Sequence, residues 1–104
     1  MDNAVIAYLS RLKDRIYYLL ILKEREVNGE DIHFSEHAIA MSERMIDATS
    51  RYPVLNGYDG FSDAIDAISF CGKSHLSLQH VRTHILNSIN DVDRLIVILE
   101  GMHD

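Results

Sequence analysis

The chain has 104 residues, of which 47% are hydrophobic and 25% charged, and its net charge is −6 when histidine is neutral. This balance is typical of one globular domain and excludes general disorder. The acidic excess argues against nucleic acid or an anionic membrane surface as a direct partner.

Two helices are predicted in the first half of the chain. The first covers residues 2–27, because apolar residues recur every three or four positions from Val5 to Leu19, and Asn28-Gly29 ends it. The second covers residues 34–51, with Asp31 or Ser35 as the N-cap and Pro53 as the stop signal.

Two more helices follow a segment rich in turn residues. A short helix over residues 62–71 is expected to begin at Ser62 and end at Gly72, and a long helix over residues 75–100 to begin after Ser74 or Ser77. The expected fold class is therefore all-α, an antiparallel four-helix arrangement in a single domain of residues 1–104. Helices 2–27 and 75–100 are the long ones, and helices 34–51 and 62–71 the shorter ones.

The chain gives no indication of export or of a membrane span. The longest apolar run, Ile16–Leu22, is far shorter than the roughly 20 residues that a bilayer requires. Charged residues interrupt the N-terminal apolar segment, so no signal peptide is predicted. The single cysteine, Cys71, has no intramolecular disulfide partner, and a cytoplasmic location is expected.

The first two predicted helices carry more apolar residues than one buried face requires. On a helical wheel, five of them lie away from the core stripes: Tyr18, Ile21, Leu22, Ile39 and Ile46. Either the first helix is central and contacts several others, or these residues form a second interface. The second interpretation predicts self-association, most simply a homodimer.

The negative charge is concentrated in residues 28–72, which contain eight acidic residues and only two arginines. The candidate acidic docking residues are Glu36, Glu43, Asp47, Asp59, Asp63 and Asp66. Such a surface would select a basic protein partner. A small basic cluster of Arg11, Lys13 and Arg15 is offset by nearby acids and is interpreted as a solvated face.

Four histidines suggest an alternative, a metal site. His33 to His37 reads His-Phe-Ser-Glu-His and matches the H-x-x-E-H string of the inverted zinc peptidases, while His80 and His84 are four residues apart. The alternative metal ligands are thus His33, His37, His80 and His84. The helical wheel favours solvated histidines instead, because it places His80 and His84 on a polar face.

The segment Leu78–Leu86 reads Leu-Gln-His-Val-Arg-Thr-His-Ile-Leu and resembles the H-A-Q-D-H-L-M segment of the lactose-class sugar-phosphotransferase carriers. These are small three-helix proteins, and the resemblance implies phosphorylation of His80. The chain departs from the family where Arg82-Thr83 replace Gln-Asp, and the resemblance covers about a tenth of the sequence.

The sequence contains no glycine-rich phosphate loop and no catalytic constellation. The expected function is therefore a small acidic, non-enzymatic protein-binding module, such as an inhibitor, an antitoxin-like or immunity-like protein, or an adaptor, with no cofactor. The alternative is a histidine-based metal-binding or phosphocarrier bundle.

Overall fold

The computed structural model describes residues 3–102, which form four α-helices and one short 3-10 helix. The α-helices are α1 (Asn3–Val27), α2 (Phe34–Arg51), α3 (Asp59–Lys73) and α4 (Leu78–Gly101), and the 3-10 helix is Pro53–Gly57. The predicted all-α four-helix arrangement is confirmed. The predicted first residue of α1, Asp2, lies outside the described residues.

The helices form an elongated bundle of 49 × 21 × 19 Å. Helices that follow one another run antiparallel, because the end of α3 approaches the start of α2 at Gly72, and Phe70 near the end of α3 contacts His84 in the first half of α4. The start of α2 contacts the end of α1 through Phe34 and Glu26, and the end of α2 contacts the start of α1 through Tyr52 and Tyr8. No helix within residues 3–102 has the length and apolar character that a bilayer crossing requires.

One apolar core joins all four helices, as the periodic stripes predict. Two buried polar residues lie within it, Ser42 and Ser88. Their hydroxyls donate to the carbonyl oxygens of Ile39 and His84, at 2.8 Å and 2.9 Å. Both hydroxyls are therefore satisfied within their own helices, and the core carries no unpaired side-chain polar atom among the described residues.

The first helix ends at the Asn28-Gly29 pair, as predicted. Gly29 has a φ of +96°, a left-handed conformation that favours glycine. The amide of Gly29 donates to the carbonyl of Glu26, and the amide of Glu30 donates to the carbonyl of Arg25. These two hydrogen bonds are a Schellman motif, which satisfies the last carbonyls of the helix.

The start of α2 is capped from another helix, so the prediction of Asp31 or Ser35 as the N-cap is wrong. His33 occupies the N-cap position and provides no side-chain hydrogen bond. Instead the Glu26 carboxylate of α1 accepts from the Phe34 amide at 3.0 Å. Lys23 also pairs with Glu26 at 3.2 Å, and its ammonium lies 5.3 Å from the centre of the Phe34 ring.

This cap makes the stability depend on pH. The hydrogen bond from Phe34 and the nearby Lys23 lower the pKa of Glu26. A group with a lowered folded-state pKa stabilises the fold above its unfolded pKa, and loses that effect as the pH falls through the folded pKa. We expect Glu26→Gln to reduce the free energy of unfolding by about 1 kcal/mol at pH 7. Urea denaturation from about pH 7 to pH 3 should show this difference shrinking as the pH falls below about 4.

Glu24→Gln is the matched control, because within residues 3–102 the Glu24 carboxylate accepts no hydrogen bond. A difference between Glu26→Gln and the wild type that stays constant down to pH 3 would contradict the proposed role of the Glu26 charge.

The third helix is longer than predicted. It begins at Asp59 after the N-cap residue Tyr58, so Ser62 lies inside the helix and the prediction of Ser62 as its cap is wrong. The earlier start places Phe61, which is 1% exposed, in the core. Gly72 does not end the helix either: it is buried inside α3, where α2 approaches closely.

The fourth helix begins at Leu78, and one of its two predicted caps is confirmed. The Ser77 hydroxyl accepts a hydrogen bond from the His80 amide at 3.4 Å, which makes Ser77 the N-cap. Farther along α4, Asp93 forms a salt bridge with Lys13 of α1.

Candidate functional site

An open groove lies between α1 and α2. Its larger part is a cavity of about 530 Å³ with an apolar floor, formed by the buried residues Leu19, Leu22 and Met41. Tyr18, which is 49% exposed, stands on its rim. The remaining lining residues are charged or titratable: Asp14, Arg15, His37 and Arg44.

A smaller cavity of about 160 Å³ continues the groove toward the start of α1. The two cavities share Arg15, Met41 and Arg44, so they are parts of one groove. The other residues that line the smaller part are Tyr8, Leu12, Met45, Asp47, Ala48 and Arg51. At 1.5 Å per residue, the distance along α1 from Tyr8 to Leu22 is roughly 21 Å, about four helical turns.

The groove exists because α1 and α2 pack mainly against other helices. The main neighbour of α1 is α4, the main neighbour of α2 is α3, and α1 and α2 contact each other sparsely. They meet at the two ends of the seam. Glu26 caps α2 at one end, and the rings of Tyr8 and Tyr52 stack at the other with centres 5.2 Å apart. Between these two contacts the seam stays open.

Four exposed arginines follow this seam. Arg15, Arg44 and Arg51 line the groove, and Arg11 lies one turn before Arg15 on the same side of α1. Within residues 3–102 none of the four forms a salt bridge. The basic cluster predicted on α1 is therefore divided, because Lys13 turns toward Asp93 of α4.

Two of these arginines affect the ionisation of Tyr8. Burial raises the pKa of the Tyr8 hydroxyl, and the positive charges of Arg15 and Arg51 oppose that rise. Tyr8, Arg15 and Arg51 all line the smaller part of the groove. The lining also holds Asp14 and Asp47, so three arginines and two aspartates give it a net positive charge in a chain whose net charge is −6.

The apolar surface predicted on the first two helices is not a single patch. Tyr18 lies on the groove rim and Ile21 is 36% exposed. Leu22 is 5% exposed and belongs to the core, so the prediction that it lies away from the core is wrong. Ile39 is half-buried against Gly72 of α3, and Ile46, 53% exposed, lies two turns later on the same side of α2. These two isoleucines therefore face away from the groove.

All six acidic residues predicted to dock a partner are exposed. Helical spacing places Glu36 and Glu43 on the outer face of α2, with Asp47 between that face and the groove that it also lines. It places Asp59, Asp63 and Asp66 on the outer face of α3. Asp59 and Asp63 also line a cavity of about 340 Å³ between α3 and α4, together with Asp91 and Arg94. Within residues 3–102 none of the six forms a salt bridge with a basic residue.

The four histidines of the alternative metal site have separate surroundings. His37 lines the groove, and the exposed His33 side chain lies 3.6 Å from Asp31. His80 contacts the Ser77 hydroxyl at 3.2 Å, and His84 packs edge-on against Phe70 with ring centres 5.4 Å apart. No three His, Cys, Asp or Glu side chains between residues 3 and 102 are grouped to hold a metal ion.

Cys71 is a buried core residue. Burial raises the pKa of its thiol to about 11, and the charge of Lys23 opposes that rise. The thiolate that nucleophilic chemistry requires is therefore scarce at neutral pH.

Arg44, Arg51 and Met41 line the groove but were not among the site residues predicted from the sequence. The sequence does contain a pattern that could have indicated them, a pair of arginines beside the apolar stripe of each helix. Arg11 and Arg15 lie on one side of the core stripe of α1, and Arg44 and Arg51 lie beside that of α2. Only an antiparallel pairing of the two helices brings these flanks together.

Comparison of the chain with known protein families, curated proteins and solved structures gives no significant match.

Proposed function

We propose that this protein is a non-enzymatic binding module that binds a helix of another protein in the groove between α1 and α2. It would belong with the small inhibitors, antitoxin-like or immunity-like proteins and adaptors. The observation that supports this proposal is the apolar floor of Leu19, Leu22 and Met41. Among residues 3–102, the seam that holds this floor is more sparsely packed than the seams between α2 and α3 and between α3 and α4.

The dimensions of the groove suit a helix. A four-helix bundle normally closes each seam with interlocking side chains, so an open apolar seam can accept side chains from outside. An amphipathic helix presents anchors at positions i, i+4, i+7 and i+11, which extend over about 16 Å. The groove, roughly 21 Å long along α1, accommodates such a set.

A peptide titration tests this proposal. The probe is a helical peptide of about 18 residues with a leucine stripe at i, i+4, i+7 and i+11 and neutral glutamines beside it. We expect this peptide to shift the backbone amide NMR signals of Arg15, Leu19 and Met41 in the 15N-labelled protein. The signals of Ile46 and Val97, which are exposed on other faces, should remain unchanged.

Shifts centred on Val97, or no shifts at about 1 mM peptide, would contradict the proposal. A second copy of the chain is the other candidate occupant, because self-association through α1 and α2 would cover the same groove. Light scattering on the free protein separates the two. A dimer whose formation shifts the groove amides with protein concentration would assign the groove to self-association rather than to a foreign helix.

A further inference from the structure

We infer that the helix bound in the α1–α2 groove is acidic, with glutamate or aspartate side chains on both sides of its apolar stripe. This inference rests on the proposed function and specifies the chemistry of the partner. It differs from the basic partner that the net charge of −6 and the acidic middle of the chain predict, because the charge of the groove lining is opposite to that of the whole chain.

The arginines that line the groove form no salt bridge within residues 3–102, whereas three other basic residues of α1 are already paired. Lys13, Lys23 and Arg25 form salt bridges with Asp93, Glu26 and Glu30. Arg15 forms none within the described chain, and neither does Arg44, although Asp47 follows Arg44 by three residues, a spacing at which helical side chains meet. The guanidinium groups on the groove are thus available to carboxylates from outside.

The position of the arginines matches the position of such carboxylates. Arg15 projects from α1 and Arg44 from α2, and both line both parts of the groove. They therefore flank a bound helix from its two sides near the middle of the seam. Guanidinium groups bind carboxylates in a bidentate fashion, so acidic residues on each side of the apolar stripe would meet a matching partner.

An acidic protein helix fits the groove better than a lipid acyl chain or a nucleic acid does. An acyl chain is best shielded in an enclosed cavity, but this groove is open and interrupted by Asp14 and Asp47. A nucleic acid would extend beyond the groove onto the outer face of α2, where the exposed Glu36 and Glu43 would repel its phosphates. The two aspartates of the lining also restrict where the acidic residues of the partner can lie, because like charges in contact oppose binding.

The test compares three peptides that share the leucine stripe and differ only beside it, with glutamate, glutamine or lysine. We expect the glutamate peptide to bind at least about tenfold more tightly than the lysine peptide at low salt, measured by calorimetry. The preference should largely disappear in about 0.5 M sodium chloride, where the Debye length is about 4 Å. The double variant Arg15→Glu with Arg44→Glu should reverse the order of the two charged peptides.

The matched control is Arg82→Glu with Arg94→Glu, which changes the net charge equally at two exposed arginines of α4. This control should keep the preference for glutamate. Equal binding of all three peptides in the groove would overturn the inference and leave the proposed function standing, while binding of none would overturn both. A lipid headgroup is the other anion that the arginines could bind. If the wild type bound phosphatidylglycerol vesicles, the double variant Arg15→Glu with Arg44→Glu did not, and the three peptides bound equally, the arginines would be assigned to the headgroup and the inference would be overturned.

Discussion

Replacement of Leu55 by alanine should lower the free energy of unfolding by about 2–5 kcal/mol. Leu55 lies in the short 3-10 helix between α2 and α3, yet it is 1% exposed and belongs to the main core. Its amide donates to the Tyr52 carbonyl, and its carbonyl accepts from the Tyr58 amide, so the backbone holds the side chain in place. Alanine would remove the buried methyl groups and leave a cavity that this fixed backbone cannot fill.

Urea denaturation followed by circular dichroism measures this effect as a lower transition midpoint. A domain of this size has a total stability of about 5–15 kcal/mol, so the expected loss is a large part of it. Leu86→Ala is the control, because Leu86 is 42% exposed and should change the stability by less than about 0.5 kcal/mol. Equal effects of the two variants would show that the 3-10 segment lies outside the cooperative core.

The positions of the four helices follow from the sequence alone, because each buried face repeats apolar residues at the helical period. The bounds of α2, residues 34–51, agree with the prediction, since Pro53 is a local stop signal. The Ser77 cap of α4 and the Gly29 end of α1 are also local signals, readable within a few residues. Local chemistry therefore determines these three helix ends.

Features that depend on which helices meet were not predicted. Glu26 caps α2 from the end of α1, which no rule about adjacent residues anticipates. Ser62 and Gly72 were wrongly predicted as the start and the end of the third helix. Burial of Phe61 and the contact between α2 and α3 extend this helix in both directions.

The groove was not predicted for the same reason, because it too depends on which helices are neighbours. Arg15 and Arg44 are distant in sequence, and the net charge of −6 predicts an acidic docking surface rather than a basic groove. Their common position appears only when α1 and α2 are known to be neighbours with a sparsely packed seam.

Replacement of Gly72 by alanine should destabilise the protein by about 1–3 kcal/mol, although alanine is the better helix former by about 1 kcal/mol. An added Cβ would lie 2.8 Å from Cγ1 of Ile39, 3.1 Å from the Ile39 nitrogen and 3.1 Å from the Ser35 carbonyl oxygen. Two of these three neighbours are backbone atoms of α2 and cannot rotate away. The helices α2 and α3 must therefore move apart, which loosens the packing around Ile39.

Gly101→Ala is the matched control for helix propensity, because an added Cβ at Gly101, the last residue of α4, meets no atom of residues 3–102 within 4 Å. Urea denaturation should show Gly101→Ala as neutral or slightly stabilising and Gly72→Ala as destabilising. If Gly72→Ala stabilised the protein as well, close helix contact would not be the reason for glycine at this position.

A double-mutant cycle identifies which atoms oppose the added methyl group. Ile39→Ala removes the side-chain atom at 2.8 Å but keeps the two backbone atoms at 3.1 Å. In this background the cost of Gly72→Ala should fall by about 1 kcal/mol and remain above zero. Complete recovery would mean that the Ile39 side chain alone requires the glycine, whereas no recovery would mean that the backbone of α2 sets the distance between the two helices. Because Ile39 lies on the side of α2 away from the groove, neither variant should change the peptide preference that Arg15 and Arg44 confer.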